Sequence, residues 1–216
     1  MPDLELPEEE QLEEQGSPTL EVDIEDHFAV ELPSELNILP LRDSVIYPML
    51  IAPLSVTRPS SMTLIDESIQ ASDRIIGVVV QRDPAIEEPG FDEVYGYGCA
   101  VIIRTLMKAQ DTMRLIVQGI ARFKIVEPIQ DRPFMRAKIE KIEEPAGEEY
   151  DQEELEALKR SVSALFEQAV RLSPIMPDEL RSLTGAVQEP GVLADLVAAH
   201  VPLQVQEKQD VLETID

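Results

Sequence analysis

Few residues of this 216-residue chain have the types and spacing that catalysis requires. Adjacent carboxylates occur several times, as in Glu87-Glu88 and Glu143-Glu144. Such a pair can act as general acid and base only when one carboxyl is desolvated in a pocket. Every pair here lies in a polar stretch, which is typical of solvated acidic surface. No serine lies in a recognisable nucleophile turn, although a Ser-Lys pair is compatible with any spacing because its members meet in space.

Metal and nucleotide chemistry find no support in the spacing either. His27 and His200 have no partner at metal-ligand spacing, and a single cysteine, Cys99, cannot build a thiolate zinc site. None of the nine glycines is followed by lysine, so the chain has no P-loop. We interpret His200 as a cation at the end of a helix. The sequence therefore predicts a chain that is not itself an enzyme and that uses no metal and no cofactor.

The charge distribution of the chain indicates which kinds of partner it can bind. The formal net charge is −25, and residues 1–36 hold 13 Asp and Glu with no Lys or Arg. This field repels phosphate backbones, and the basic residues are scattered singly, so we expect no nucleic acid. The lone cysteine, the short apolar runs and the acidic amino terminus predict a cytoplasmic chain without a membrane partner.

Three regions must position whatever site exists. Residues 1–34 are acidic, proline-containing and predicted to be a disordered tail, either a solvated extension or a docking tail that uses Ile24, Phe28 and Val30. Residues 35–145 are rich in β-branched segments, and one helix is predicted to start near Arg58-Pro59. The predicted strands are Arg74 to Gln81, Gly98 to Leu106, Met113 to Gln118, Arg122 to Glu127 and Arg136 to Ile142.

Residues 146–216 change to helical spacing. Apolar residues from Leu155 to Leu172 fall at steps of three and four, which predicts a helix of about six turns. Shorter helices are predicted to start near Pro177 and Pro190, and a last one at Val205. Val205, Leu212 and Ile215 have a spacing that could continue as a heptad, so we expect a fragment that ends within a long helix.

One apolar segment is unusual. Tyr47-Pro48-Met49-Leu50-Ile51-Ala52-Pro53 has two prolines five residues apart, which disfavours an ordinary central strand. Its side chains could stay exposed and bind an unfolded polypeptide, by repacking or by pairing with an added strand. They could equally fill the core beneath the first helix. Met107-Lys108, near a predicted hairpin tip, is a weaker candidate of the same kind.

The span from Leu36 to Leu54, which contains Leu39-Pro40-Leu41-Arg42-Asp43, resembles the start of the amino-terminal domain of Lon proteases. Three further stretches are similar to that family in the same order, so the resemblance covers residues 36–216. Two features depart from its pattern: Met49 directly follows Pro48, and Ala109-Gln110-Asp111 replaces a Pro-Asp-Gly turn. The three stretches are Tyr95 to Ile102, Arg114 to Arg122, and Leu193 to Val197 followed by Glu207 to Glu213.

The resemblance implies an α+β fold, with a PUA-like β-rich subdomain followed by a helical bundle. It implies substrate recognition and assembly for a hexameric, ATP-dependent serine endopeptidase of protein quality control, whose ATPase and protease modules are absent from this chain. The implied partners are unfolded or tagged polypeptides and other Lon subunits. A stand-alone adaptor that binds a specific protein or small ligand is the alternative. The candidate substrate-binding residues are Tyr47, Met49, Leu50, Ile51, Arg58 and Met107.

Overall fold

The computed structural model describes residues 31–71, 74–143, 151–174 and 176–215. Within these ranges all strands lie before residue 142, and all α-helices but one lie after residue 151. The predicted α+β class is therefore confirmed. The predicted acidic tail falls almost wholly outside the described residues.

Six strands form one mixed sheet in the order β2-β5-β4-β3-β1-β6, with a further pairing between β5 and β6. The 18-residue strand β5 pairs with β4 on one side and with β2 and then β6 on the other. The pairing of β5 with β6 closes five strands into a barrel, and within the part of the chain that the structure describes β2 is an additional strand with one open edge. The strands are β1 (Glu35–Leu41), β2 (Ile51–Val56), β3 (Ile75–Gln81), β4 (Val94–Lys108), β5 (Met113–Gln130) and β6 (Met135–Lys141).

Burial explains the strand sequences. Strand β3 is buried at every residue, which matches its unbroken apolar run, whereas β6 alternates buried Met135 and Ala137 with exposed charged residues. Helix α1 (Pro59–Gln70) follows Arg58, whose backbone is extended, and has proline at its first position. Leu64 and Ile65 of α1 are fully buried and pack into the main barrel core.

Four helices follow the barrel. The longest begins at the N-cap Asp151, whose carboxylate accepts hydrogen bonds from the backbone N–H of Glu153 at 3.0 Å and Glu154 at 3.4 Å. Phe166 and Val170 form the centre of a second core with residues of the shorter helices. The helices are α2 (Gln152–Leu172), α3 (Glu179–Ala186), α4 (Pro190–His200) and α5 (Val205–Glu213).

One prediction about the strands requires correction. Met113 to Gln118 and Arg122 to Glu127 are parts of the single strand β5, whose register against β4 shifts between Ala100 and Val101. Helix α5 ends at Glu213, where the backbone of Thr214 is extended, and the expectation that the chain is a fragment ending within a long helix stays a prediction. None of the helices in the described residues is long and apolar enough to cross a membrane.

Candidate functional site

The turn that holds the candidate apolar segment is fixed against β5. Met49 has a positive φ of 65°, and its backbone N–H donates to the Gly119 carbonyl at 3.1 Å. Gly119 in return donates to the Leu50 carbonyl at 2.9 Å. A Cβ atom at Gly119 would lie 2.1 Å from the Tyr47 carbonyl oxygen, closer than any non-bonded contact. Only glycine at this position therefore lets the turn lie directly on the strand.

Tyr47 lies beneath that turn and is fully buried. Its ring packs against Ala198 and Leu212, and its hydroxyl donates to the Lys208 carbonyl at 2.8 Å. Burial, with the nearby Asp195 charge, raises the pKa of Tyr47 above its ordinary value. We therefore correct the predicted role of Tyr47: it belongs to the core between barrel and helices and is inaccessible to a polypeptide at the surface.

A buried ion pair joins the barrel to the helices beside Tyr47. Arg122 of β5 donates from Nη2 to Oδ1 of Asp195 in α4 at 2.5 Å, and the two side chains are 7% and 2% exposed. Arg122 Nε also donates to the Leu212 carbonyl at 3.1 Å, and the fully buried Gln209 donates to the Tyr97 carbonyl at 3.2 Å. These bonds hold α4 and α5 on the barrel. Sequence reasoning missed the pair, although an aspartate within the apolar stretch Val192 to Ala199 is a signal for it.

The remaining candidate residues do not form one patch. Leu50 is half-buried and packs on the helical cores, whereas Ile51 and Met107 are 45% and 57% exposed. Ile51 is level with Gln118 of β5 and Met107 with Arg114, four residues along the same strand. Ile51 and Met107 lie on opposite sides of β5, so about 14 Å along the strand and about 10 Å across it place them roughly 17 Å apart. Their contact roles, with those of Met49 and Arg58, stay predictions.

A groove of about 280 Å³ lies beside the open edge of β2. One wall is the end of β1 and the loop after it, residues 39–44, and the other wall is residues 53–58. Strand β1 pairs with β6 only from Glu35 to Ile38, so among the described residues its last part has no strand partner on the groove side. The groove is thus a gap in the sheet, bordered by two strand edges. We call it the edge groove; Ser61 of α1 completes its lining.

The hydrogen bonds between β2 and β5 show which backbone groups of β2 point away from β5. Gly119 directs both its N–H and its C=O at the turn before β2, and strand hydrogen bonds alternate from residue to residue. Ala52, Leu54 and Val56, opposite Val117, Leu115 and Met113, therefore bond to β5. The backbone groups of Ile51, Pro53 and Ser55 consequently point toward the edge groove. Pro53 has no N–H there, which limits indiscriminate pairing with other chains.

Arg58 stands at the end of the edge groove. Its Nη1 donates to the Pro40 carbonyl at 3.2 Å, and its Nη2 donates to Oε1 of the buried Gln81. Burial, together with the nearby charge of Arg42, lowers the pKa of Arg58. The side chain ties the groove wall of β1 to the start of α1 and places positive charge at the groove.

The described residues offer little for bond-making chemistry. They contain no group of three or more His, Cys, Asp and Glu placed to hold a metal ion. Burial raises the pKa of the Cys99 thiol to about 12, so this thiol is a poor nucleophile at neutral pH. His200 bonds through Nδ1 to the Leu196 carbonyl at 2.8 Å at the end of α4, where the sequence placed it.

Helix α2 has a second exposed feature. Its buried residues Phe166 and Val170 face the helical core, but an apolar stripe on another face is exposed. The stripe follows steps of four and three residues, the spacing of a coiled-coil seam. We call it the α2 stripe; its members are Leu158, Val162, Leu165, Ala169 and Leu172.

Comparisons with known proteins identify this architecture. Residues 35–216 match the family described as the ATP-dependent protease La (LON) substrate-binding domain. In fold, the chain is similar to the N-terminal domain of the Mycobacterium avium complex Lon protease, with a TM-score of 0.68 and 16% identity over 84% of this chain and 91% of that one. A Lon N-terminal domain protein from Xanthomonas campestris superposes with a TM-score of 0.58 and 16% identity, over 85% and 92% of the two chains. The fold is thus that of Lon N-terminal domains.

Sequence similarity gives the same answer. Lon protease 2 of Myxococcus xanthus is 38% identical over 187 residues, and the Lon protease of Dictyoglomus thermophilum is 37% identical over 187 residues. Each alignment covers 86% of this chain, but only 22% and 23% of the respective relatives. The chain belongs to the Lon substrate-binding domain family, as the motifs quoted above predicted, and it spans about a fifth of the length of these relatives.

Proposed function

We propose that this chain captures unfolded or tagged polypeptides for a Lon protease by pairing an extended segment with the open edge of β2. The edge groove is the observation that carries this proposal. Ile51, Pro53 and Ser55 direct backbone groups into it, and pairing through the backbone accepts many sequences. A quality-control protease needs such breadth, because damaged substrates share exposed chain more than they share any motif.

The lining of the edge groove fits pairing through the backbone. Leu39, Leu54 and Val56 line it but are only 1%, 7% and 5% exposed and pack into the barrel core, so they offer an extended chain little apolar surface. Met49 and Ile51 stand at one end of β2 and Arg58 at the other, which makes them candidate contacts beyond the groove itself. In this proposal Tyr47 and Leu50 act indirectly, by fixing the turn that precedes β2.

The wider context is also part of the proposal. The full-length protein would be a cytoplasmic, ATP-dependent serine endopeptidase, and this chain would add recognition without catalysis of its own. Residues 35–145 and 146–216 would be its two subdomains, joined through Arg122 and Asp195. Several copies in a hexamer would raise the avidity of weak single contacts through effective concentration.

The α2 stripe supports a second role in assembly. Leu165 and Leu172 are 67% and 74% exposed, which is unusual for leucines that recur at coiled-coil spacing. A helix from another Lon subunit would bury this stripe. The charge-introducing variant Leu165→Asp should weaken self-association and leave the unfolding free energy within about 0.5 kcal/mol of wild type, because the side chain is exposed. Sedimentation of both proteins over a range of concentrations measures the difference, and unchanged association would remove the stripe from the interface.

The edge groove is tested by removing one backbone donor from it. Ser55 is exposed and its N–H points to the groove, so Ser55→Pro removes a pairing group without breaking a bond to β5. Loss of a hydrogen bond worth about 1 kcal/mol should weaken binding of a permanently unfolded polypeptide about fivefold. Ser55→Ala is the matched control, since it keeps the N–H. Equal affinity of the two variants, with equal stability, would exclude strand pairing at β2.

A further inference from the structure

The α2 stripe has the residue order of a two-stranded coiled coil. Its steps of four, three, four and three residues place its three leucines at the d positions of a heptad, and Val162 and Ala169 at the a positions. In parallel coiled coils, leucine at d with a β-branched residue such as Val162 at a favours two strands over three or four. One further α2 helix therefore fits the stripe better than a larger bundle does.

Two charged residues beside the stripe favour a parallel partner. Glu154 occupies a g position and Lys159 the e position five residues later, and these positions form ion pairs between parallel strands. Within the described residues, the Lys159 ammonium donates to the Gln188 carbonyl at 2.6 Å and pairs with Glu156 at 3.6 Å. The third donor of that ammonium can meet Glu154 of a second copy. In an antiparallel pair centred on Leu165, Glu154 would instead lie beyond the end of the other helix.

The side of α2 that a partner would cover is free of charge along most of its length. Phe166 and Val170 pack into the helical core, so a partner helix must approach the stripe from the side away from that core. Eight exposed residues there carry no charge, whereas the chain average of 28% would put about two charged residues among them. An uncharged exposed face favours contact with another helix. The eight residues are Ala157, Leu158, Ser161, Val162, Ala164, Leu165, Gln168 and Ala169.

We propose that the α2 stripe pairs, in parallel and in register, with the α2 stripe of a second copy of this chain. Each layer of the seam then contains the same residue twice, with Leu165 at the centre, and the contact is isologous as two-fold symmetry requires. The seam is only two heptads long, so its pairing is weak between free chains and gains from the effective concentration inside a larger assembly. This inference rests on the assembly role proposed for the stripe and specifies the partner.

Disulfide trapping detects such a weak contact and reads its direction. Cys99 is the only cysteine of the chain and is fully buried, so an introduced surface thiol reacts alone. In a parallel pair, the thiol of Leu158→Cys meets the same thiol of the second copy, and so does the thiol of Leu172→Cys. Each variant should form disulfide-linked dimers about tenfold faster than the control Arg160→Cys, whose exposed side chain lies on the opposite face of α2.

A second variant shows whether the seam itself brings the thiols together. Adding Leu165→Asp to Leu158→Cys should lower the rate of linkage to that of Arg160→Cys, because a charge at the centre of the seam opposes its burial. Circular dichroism of each variant checks that the helices are intact. An unchanged rate in the double variant would overturn the seam as the contact.

The remaining outcomes separate this inference from the assembly role. Fast linkage only in a mixture of Leu158→Cys with Leu172→Cys would show an antiparallel pair and overturn the parallel one. Rates no higher than that of Arg160→Cys would overturn pairing of α2 with α2. If Leu165→Asp still weakened self-association in sedimentation, the assembly role would stand and a different helix would cover the stripe.

Discussion

The buried ion pair of Arg122 and Asp195, which joins the barrel to the helices, should contribute strongly to the stability of the fold. The variant Asp195→Asn keeps the side-chain shape but removes the negative charge beside a guanidinium that is 7% exposed. Removing one partner of a buried ion pair leaves the other charge buried without compensation and costs about 3–5 kcal/mol. This is a large part of the roughly 5–15 kcal/mol that stabilises a typical domain.

An exposed ion pair between a basic side chain and an aspartate serves as the control for Asp195→Asn. Lys108 and Asp66 also form an ion pair, but their side chains are 51% and 45% exposed. Asp66→Asn should therefore cost less than about 1 kcal/mol. Unfolding in urea, followed by circular dichroism, gives the free energy of unfolding for each protein. A loss in Asp195→Asn no larger than that in Asp66→Asn would refute the reasoning, and the paired change Arg122→Met with Asp195→Leu should regain most of the loss.

Three further predictions concern buried groups. Gly119→Val should destabilise the fold by several kcal/mol, because its Cβ would lie 2.1 Å from a backbone oxygen, whereas Gly96→Ala, which meets nothing within 4 Å, should cost under about 1 kcal/mol; urea unfolding measures both. The pKa of Tyr47 is raised in the folded state, so its contribution to stability is complete below its unfolded pKa of about 10 and falls as the pH rises further. Between pH 9 and 11 wild type should thus lose more unfolding free energy than Tyr47→Phe, and parallel losses would contradict this. Cys99, whose pKa is raised to about 12, should react with a thiol reagent at pH 8 only as fast as the protein opens, so rapid labelling of the native protein would contradict its burial.

Local patterns in the sequence predicted most of the secondary structure. Helix α2 follows the steps of three and four from Leu155 to Leu172, and β3 follows the apolar run before Gln81. The division of β5 into two strands was wrong. A residue such as Gly119 weakens a strand locally, but here β5 has pairing partners on both sides, which keep it in one strand. Strand pairing of this kind depends on distant residues, and local spacing does not encode it.

The candidate site was harder to predict from the sequence than the secondary structure, because segments distant in sequence decide which of its residues are buried. Tyr47 and Ile51 belong to the same apolar segment, yet one is fully buried and the other is 45% exposed. The difference comes from α4 and α5, which are about 150 residues away in sequence and cover only the first part of that segment. The edge groove depends equally on the point at which β1 leaves β6, and no motif in the sequence marks that point.

The central claim is capture of extended polypeptide, and one titration tests it most directly. The chain is titrated with a single model polypeptide, once folded and once permanently unfolded, at low and at moderate salt. We expect binding of the unfolded form only, little changed by salt, because backbone pairing and apolar contacts are weakly screened. Equal binding of both forms, or binding of neither, would contradict substrate capture at β2 and leave assembly through the α2 stripe as the function of this chain.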